Sequence, residues 1–174
     1  MRFYSHILVL NGIYIVMRRD RQSAHNRIMQ DYFVEKPLYT EELFRRRFRM
    51  SSRLFNFILR SLEEGTDYFK HKRDCSGRLG VSPLQKAVAA LRMLAYGEGG
   101  DRQDEYVKVS ERTAHHCRKR FCEGIVRLFK EKYLRSPTAQ DVDNILQVNS
   151  ARGFPGMIGM LLCCSTVDVI RILI

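Results

Sequence analysis

A chain of 174 residues is long enough for one ordinary domain to bury a core, and its 45% hydrophobic and 28% charged residues exclude a wholly disordered or fibrous protein. Lys and Arg outnumber Asp and Glu by 30 to 19, and the resulting net charge of +11 favours phosphate backbones and anionic membranes without choosing between them. Five cysteines, Cys75, Cys117, Cys122, Cys163 and Cys164, form an odd set with no CxxC spacing, which fits free thiols in a reducing compartment rather than a disulfide framework.

The opening MRFYSHILVLNGIYIV is apolar behind one Arg but lacks a small-x-small cleavage site ahead of Arg18 and Arg19. A short strand, a buried turn or a misassigned start is therefore expected in preference to a secretion signal. The following MRRDRQSAHNRIMQDYF is basic and then aromatic, and reads as a solvated arm ending near Pro37, so that residues 1–36 form an apolar opening and basic arm.

Residues 37–150 are expected to fold as a mainly α, helix-turn-helix-like domain. Thr40 stands as an N-cap before Glu41 and Glu42, whose charges suit a helix N-terminus. Leu43, Phe44 and Phe48 then share one face, with Arg45, Arg46, Arg47 and Arg49 outside. Ser51 or Ser52 caps a second helix, in which Leu54, Phe55, Ile58, Leu59 and Leu62 repeat at three and four before Gly65. Phe44, Phe48, Phe55 and Phe57 are expected in the core.

The polar stretch HKRDCSGRLG reads as a loop. Ser82 followed by Pro83 opens a third helix whose Leu84, Val88, Leu91 and Ala95 line a face ending at Gly97. A short helix over Asp101 to Tyr106 and a VKV turn lead to Ser110, the expected cap of a long helix reaching about Tyr133. Its apolar stripe is Ala114, Cys117, Phe121, Ile125 and Leu128. Gly124 within it costs up to about 1 kcal/mol relative to Ala, and so marks a close contact or a bend.

Pro137 and Thr138 start a last helix through Val142 and Ile145, with Arg152 to Gly156 as its exit. The apolar run from Met157 is β-branched and strand-like, and Asp168 and Arg171 interrupt it too soon for a membrane span. No membrane partner is expected.

Long, short and long helices with a tight turn before the last give the sequence shape of a helix-turn-helix, whose final helix enters the major groove by its first turns. The outer face of that helix carries Arg112, His116, Lys119, Arg127 and Lys130, flanked by His115 and Arg118, while the inner stripe would pack on Leu91 and Leu94. Arg112, His115, His116, Arg118 and Lys119 are thus the base- or phosphate-reaching candidates, with Arg45, Arg46 and Arg49 as candidates for the backbone. A merely solvated basic face has the same spacing. Metal binding is disfavoured: adjacent His115 and His116 diverge by about 100°, and Cys117 and Cys122 by about 140°.

Five ordered segments, FRRRFRM (44–50), SPLQKAVAALRMLAYG (82–97), DEYVKVSERTA (104–114), YLRSPTAQDV (133–142) and RGFPGMIG (152–159), together resemble the PIF/Harbinger transposase-derived proteins of plant genomes, over roughly residues 18–163. In that family the helical region precedes a ribonuclease-H-like DDE nuclease domain, in which three acidic residues hold two divalent metal ions for strand cleavage. The resemblance puts the first of those acids at Leu162, followed by Cys163 as in the family. Leucine cannot ligate a metal, the next carboxylate is Asp168, and the chain ends at Ile174 before the strands that would supply the other acids.

Residues 151–174 are accordingly expected to be a truncated start of the catalytic domain, the product of a frameshift, a mispredicted gene or a decayed element, with an aggregation-prone edge. The resulting expectation is a nuclear DNA-binding region with no catalytic residue and no cofactor. A docking module for the Myb-like protein that works with such transposases, or a fragment of a metal-dependent nuclease, are the alternatives.

Overall fold

The computed structural model describes residues 7–10, 13–16, 19–73, 77–133 and 135–158. The chain is mainly α-helical. It divides into two compact units, one up to Ile125 and one from Val126, and the division falls within a single continuous helix. Of the strand-like tail expected from Met157, Met157 and Ile158 are described and are not in a strand, and the rest, with Leu162, lies outside the described residues.

In the first unit, the apolar opening contributes two short antiparallel strands, β1 (Ile7–Leu10) and β2 (Ile13–Val16), paired from Ile7 with Val16 to Leu10 with Ile13. The stretch expected as a solvated arm is instead a helix, α1 (Arg21–Tyr32). Asp20 caps it by accepting from the Ser23 N–H at 3.0 Å. Ala24, Ile28 and Tyr32, spaced by four residues, are buried. The guanidinium of Arg19 grips Asp104 through two bonds of 2.6 and 2.8 Å, and buried Asp31 accepts from the Tyr106 hydroxyl. The charge read as a mark of solvation is therefore partly spent in tying α1 down.

Helices α2 (Glu41–Phe48) and α3 (Ser52–Gly65) begin at Thr40 and Ser51, the latter accepting from the Leu54 N–H at 3.3 Å. Their apolar faces meet α1 in an aromatic cluster. Phe44 lies 4.5 Å from Phe48, 5.7 Å from Phe55 and 5.6 Å from Tyr32, mostly edge-on, the arrangement that ring quadrupoles favour. Phe33 completes the cluster at 5.3 Å from Phe55. Phe57, expected in the core, is 53% exposed, because the buried face of α3 takes only Phe55, Ile58 and Leu62.

Helix α4 (Pro83–Tyr96) is the centre of this unit and touches α1, α2, α3 and a short helix, α5 (Arg102–Val107). Nine of its fourteen residues are buried, including Ala87, Ala89 and Ala90, whose small side chains admit neighbours on several sides. It was expected to bury one face only. Ser82 and Gln85 form a reciprocal capping box, and the Gln85 amide also donates to the carbonyls of Arg21 and Val107 at 3.0 Å each. One buried side chain thus caps α4 and links it to the start of α1 and the end of α5, with its polar atoms satisfied.

Helix α6 (Glu111–Tyr133) starts in the first unit and runs into the second. In the second unit, α7 (Ala139–Ala151) opens on a capping box in which Thr138 accepts from the Asp141 N–H and the Asp141 carboxylate from the Thr138 N–H. An Arg135 ion pair of 2.7 Å holds the same carboxylate well below the usual range, and no residue of α7 is buried. Gly153 and Gly156, both at positive φ, shape the exit turns, where Asn149 donates to the Met157 carbonyl at 2.7 Å.

Candidate nucleic-acid interface

The segment between α5 and α6 is short and anchored. Val107, Val109 and Ser110 are buried, while Lys108 between them adopts a left-handed conformation (φ 58°) that ends α5. The Ser110 carbonyl accepts from the Ala114 N–H at 2.8 Å as the first turn of α6 closes, and its hydroxyl lies 2.9 Å from that of Thr113. Gly100 packs so closely on this turn that a Cβ would stand 2.9 Å from the Glu111 carbonyl and 3.1 Å from the His115 ring. The start of α6 is therefore fixed from both sides.

Ala114, Cys117, Phe121 and Ile125 form a fully buried stripe, as their spacing predicts, but Leu128, expected to extend it, is only partly buried and Phe129 is buried instead. Part of what they meet lies after α3, in residues the spacing gives no sign of. Phe121 faces Phe69 at 6.3 Å, and the Cys117 thiol lies 3.3 Å from the Tyr68 hydroxyl. A Cβ on Gly124 would stand 2.5 Å from Leu62, so this glycine marks a close approach to α3. Burial pushes the Cys117 thiol up, so it is a core group rather than a reactive thiolate.

The opposite face is open. Arg112, His115, His116, Arg118 and Lys119 are all exposed, and Arg112, His116 and Lys119 share one side at spacings of four and three. Helix α6 as a whole carries seven Lys and Arg against three Glu. Some of this charge is loosely paired: His115 with Glu111 at 3.8 Å, Lys119 with Glu123 at 3.9 Å, and Arg120 with Glu123 at 3.2 Å. Exposed pairs of this kind contribute roughly 0–1 kcal/mol, so a phosphate can displace them. Among the described residues Arg112 has no ion-pair partner.

His116 is oriented more firmly than its exposure suggests. Its ring stands edge-on to Tyr68 at 5.0 Å, and its Nε2 accepts from Arg120 Nε at 3.3 Å. With Nε2 accepting, the ring N–H is on Nδ1. Arg120 was missed from the sequence, although its spacing of four from His116 could have found it. Arg127 and Lys130, also placed on this face, are exposed but belong to the second unit.

Arg45, Arg46 and Arg49 are exposed on or beside α2. Among the described residues no hydrogen bond or ion pair joins them to the α6 set. Arg47, expected on the outside with them, turns inward: its guanidinium lies 3.8 Å over the Tyr39 ring and donates to the Tyr32 hydroxyl.

Among the described residues no three His, Cys, Asp or Glu side chains are grouped to hold a metal ion, and no helix is long and apolar enough to cross a membrane. Cys117 and Cys122 are free thiols.

Two segments match known families. Residues 25–63, which run from α1 through most of α3, match a domain of unknown function (DUF8418). Residues 131–167, which include α7 and the RGFPGM turns, match the family described as Plant transposon protein. No curated protein and no solved structure matches the chain. The similarity to plant transposon proteins over residues 131–167 supports a transposon-derived origin.

Proposed function

We propose that this protein binds duplex DNA through the first three turns of α6 and does not itself cut DNA. The observation that carries this reading is the exposed row Arg112, His116 and Lys119, flanked by His115 and Arg118, on a helix whose other side is locked into a core. A rigid helix with donors on its open face after a short helix and a tight turn suits docking in a major groove, where Arg, Lys and His reach base edges and phosphates. Exposed Arg45, Arg46 and Arg49 on α2 supply further positive charge for the phosphate backbone, and the site of action is the nucleus.

The absence of cutting rests on Leu162. In the PIF/Harbinger resemblance it takes the place of the first metal-ligating acid, and its side chain carries no oxygen to offer a divalent ion. A gel shift with mixed-sequence duplex at low salt tests the binding. The wild-type chain is expected to shift the duplex, and Arg112, Arg118 and Lys119 changed together to Ala to abolish or greatly weaken the shift. Supercoiled plasmid incubated with the protein and Mg2+ or Mn2+ is expected to stay supercoiled, and nicking would overturn the inactive reading.

A second reading, docking of a Myb-like protein, is favoured by one observation in the second unit. Helix α7 buries nothing, and Ile145 and Val148, three apart on one side, are 37% and 50% exposed. Pull-down of a Myb-like partner that survives nuclease treatment and is lost on Ile145→Asp with Val148→Asp would support it; loss on nuclease treatment would sink it.

A further inference from the structure

A cleft of about 360 Å³ opens in the first unit, walled by α1, α2, α4 and α5 and free of any residue from α6. Two guanidinium groups, Arg47 and Arg92, line it, with Tyr39, Tyr96 and Tyr106 among their neighbours. Arg47 stacks on Tyr39 and hydrogen-bonds Tyr32 and Tyr39, and among the described residues no carboxylate pairs with it. Arg92 lies 5.0 Å over Tyr106, and its Nε is buried without a hydrogen-bond partner among the described residues.

Acceptors are scarce around these donors. Glu98 is the carboxylate of the lining, and it stands 3.9 Å from Arg92, beyond hydrogen-bond length, while also serving Arg102 at 3.6 Å and Gln103 at 3.3 Å. Asp31 is taken by Tyr106. Burial pushes the Tyr32 and Tyr106 hydroxyls above their ordinary range, so they add no negative charge. The Arg92 side chain is a quarter exposed although its Nε is enclosed, so an anion in the cleft would meet the charge of the guanidinium rather than Nε itself.

The rest of the wall specifies what the anion carries. Tyr96 lines the cleft and is 46% exposed, so an aromatic side chain there is accessible to an incoming planar group. Arginine pairs suit the geometry of phosphate, tyrosines suit a base, and a volume near the lower end for ligand sites suits one nucleotide unit. We propose that this cleft binds a nucleotide, with Arg47 and Arg92 on the phosphate and the tyrosines, Tyr96 foremost, against the base. The nucleotide is either free or an unstacked unit of a strand; the shared chemistry is a nucleoside phosphate ester. The proposal does not rest on the α6 reading.

Equilibrium dialysis of labelled 2′-deoxyadenosine 5′-monophosphate against the full chain tests it. Saturable binding is expected, weakened about tenfold or more by Arg92→Gln through loss of charge-assisted bonds. Tyr96→Ala, on an exposed side chain and so safe for folding, is expected to weaken it by about tenfold through lost stacking. Inorganic phosphate is expected to compete poorly and to bind the Tyr96→Ala variant as well as it binds the wild type. Displacement of the mononucleotide by a short single-stranded oligonucleotide assigns the cleft to strand units, and failure to displace assigns it to the free nucleotide; either upholds the proposal. No saturable binding, competition by phosphate equal to that by unlabelled nucleotide, or full affinity in Tyr96→Ala overturns it.

Discussion

Helices α4 and α7 are nearly the same length, fourteen and thirteen residues, and each opens on a reciprocal capping box, Ser82 with Gln85 in one and Thr138 with Asp141 in the other. Nine residues of α4 are buried and none of α7. Caps act locally, by satisfying the first orphan N–H groups, so they fix where a helix begins whatever surrounds it. Burial depends on what the rest of the chain brings to the helix, and α4 is met by α1, α2, α3 and α5 while no side chain of α7 is buried. The first helix is scaffold, and the second has no buried residue.

The sharpest break of this contrast is truncation of buried rings beside α4. Phe44→Ala or Phe55→Ala is expected to cost about 3–5 kcal/mol in urea unfolding, since each ring is almost fully enclosed by its aromatic neighbours. Val148→Ala on α7 is expected to stay within about 0.5 kcal/mol. Comparable losses from the two regions would mean that α7 is a core helix after all.

Removing the caps sharpens the contrast further. Ser82→Ala is expected to cost about 1–2 kcal/mol of global stability, because it removes the α4 cap and the partner of His25 Nδ1 at 2.9 Å. Thr138→Ala removes an equivalent cap, yet its effect is expected only as faster amide exchange over residues 139–151, with the urea midpoint of the first unit unchanged. A lowered midpoint in Thr138→Ala would contradict the surface assignment of α7.

Gly124→Ala is expected to cost about 1 kcal/mol net, since crowding of fully buried Leu62 exceeds the gain in helix propensity. Increased stability would contradict the close apposition of α6 and α3 at Leu62. The smallest expected effect is a pH dependence. Burial, and to a lesser degree His71, holds His25 below the ordinary imidazole range, so the unfolded chain binds this proton more tightly than the folded one. Its contribution is intact above about pH 6.5 and is lost as pH falls from there through the folded value. The urea midpoint should drop between pH 7.5 and 5.5, and His25→Gln should reduce that drop.

Much of this architecture is legible where local chemistry decides. Thr40, Ser51, Ser82 followed by Pro83, and Thr138 mark the starts of α2, α3, α4 and α7, and the stripe from Ala114 to Ile125 marks the inner side of α6. Helix α1 escapes because its buried set is only Ala24, Ile28, Asp31 and Tyr32 within a polar, Arg-rich segment whose anchors, Asp104 and Tyr106, are distant in sequence. Phe57 and Arg47 are misread for a related reason: helical spacing places both near a boundary between faces, and tertiary neighbours decide which way each turns. The exposed residues of the α6 site follow from periodicity, whereas the orientation of His116 by Tyr68 and Arg120 does not. The Arg and Tyr cleft draws its walls from four helices, and nothing in one-dimensional spacing brings them together.

The claim that α6 is a DNA-binding surface is tested most directly by the salt dependence of duplex affinity, followed by fluorescence anisotropy for the wild-type chain and for Arg112, Arg118 and Lys119 changed together to Ala. The wild type is expected to lose affinity steeply as salt rises, with a slope of about −0.9 for each phosphate neutralised, and the triple variant to bind more weakly with a slope shallower by about two to three. Equal affinity and equal slope in the two proteins would contradict the account.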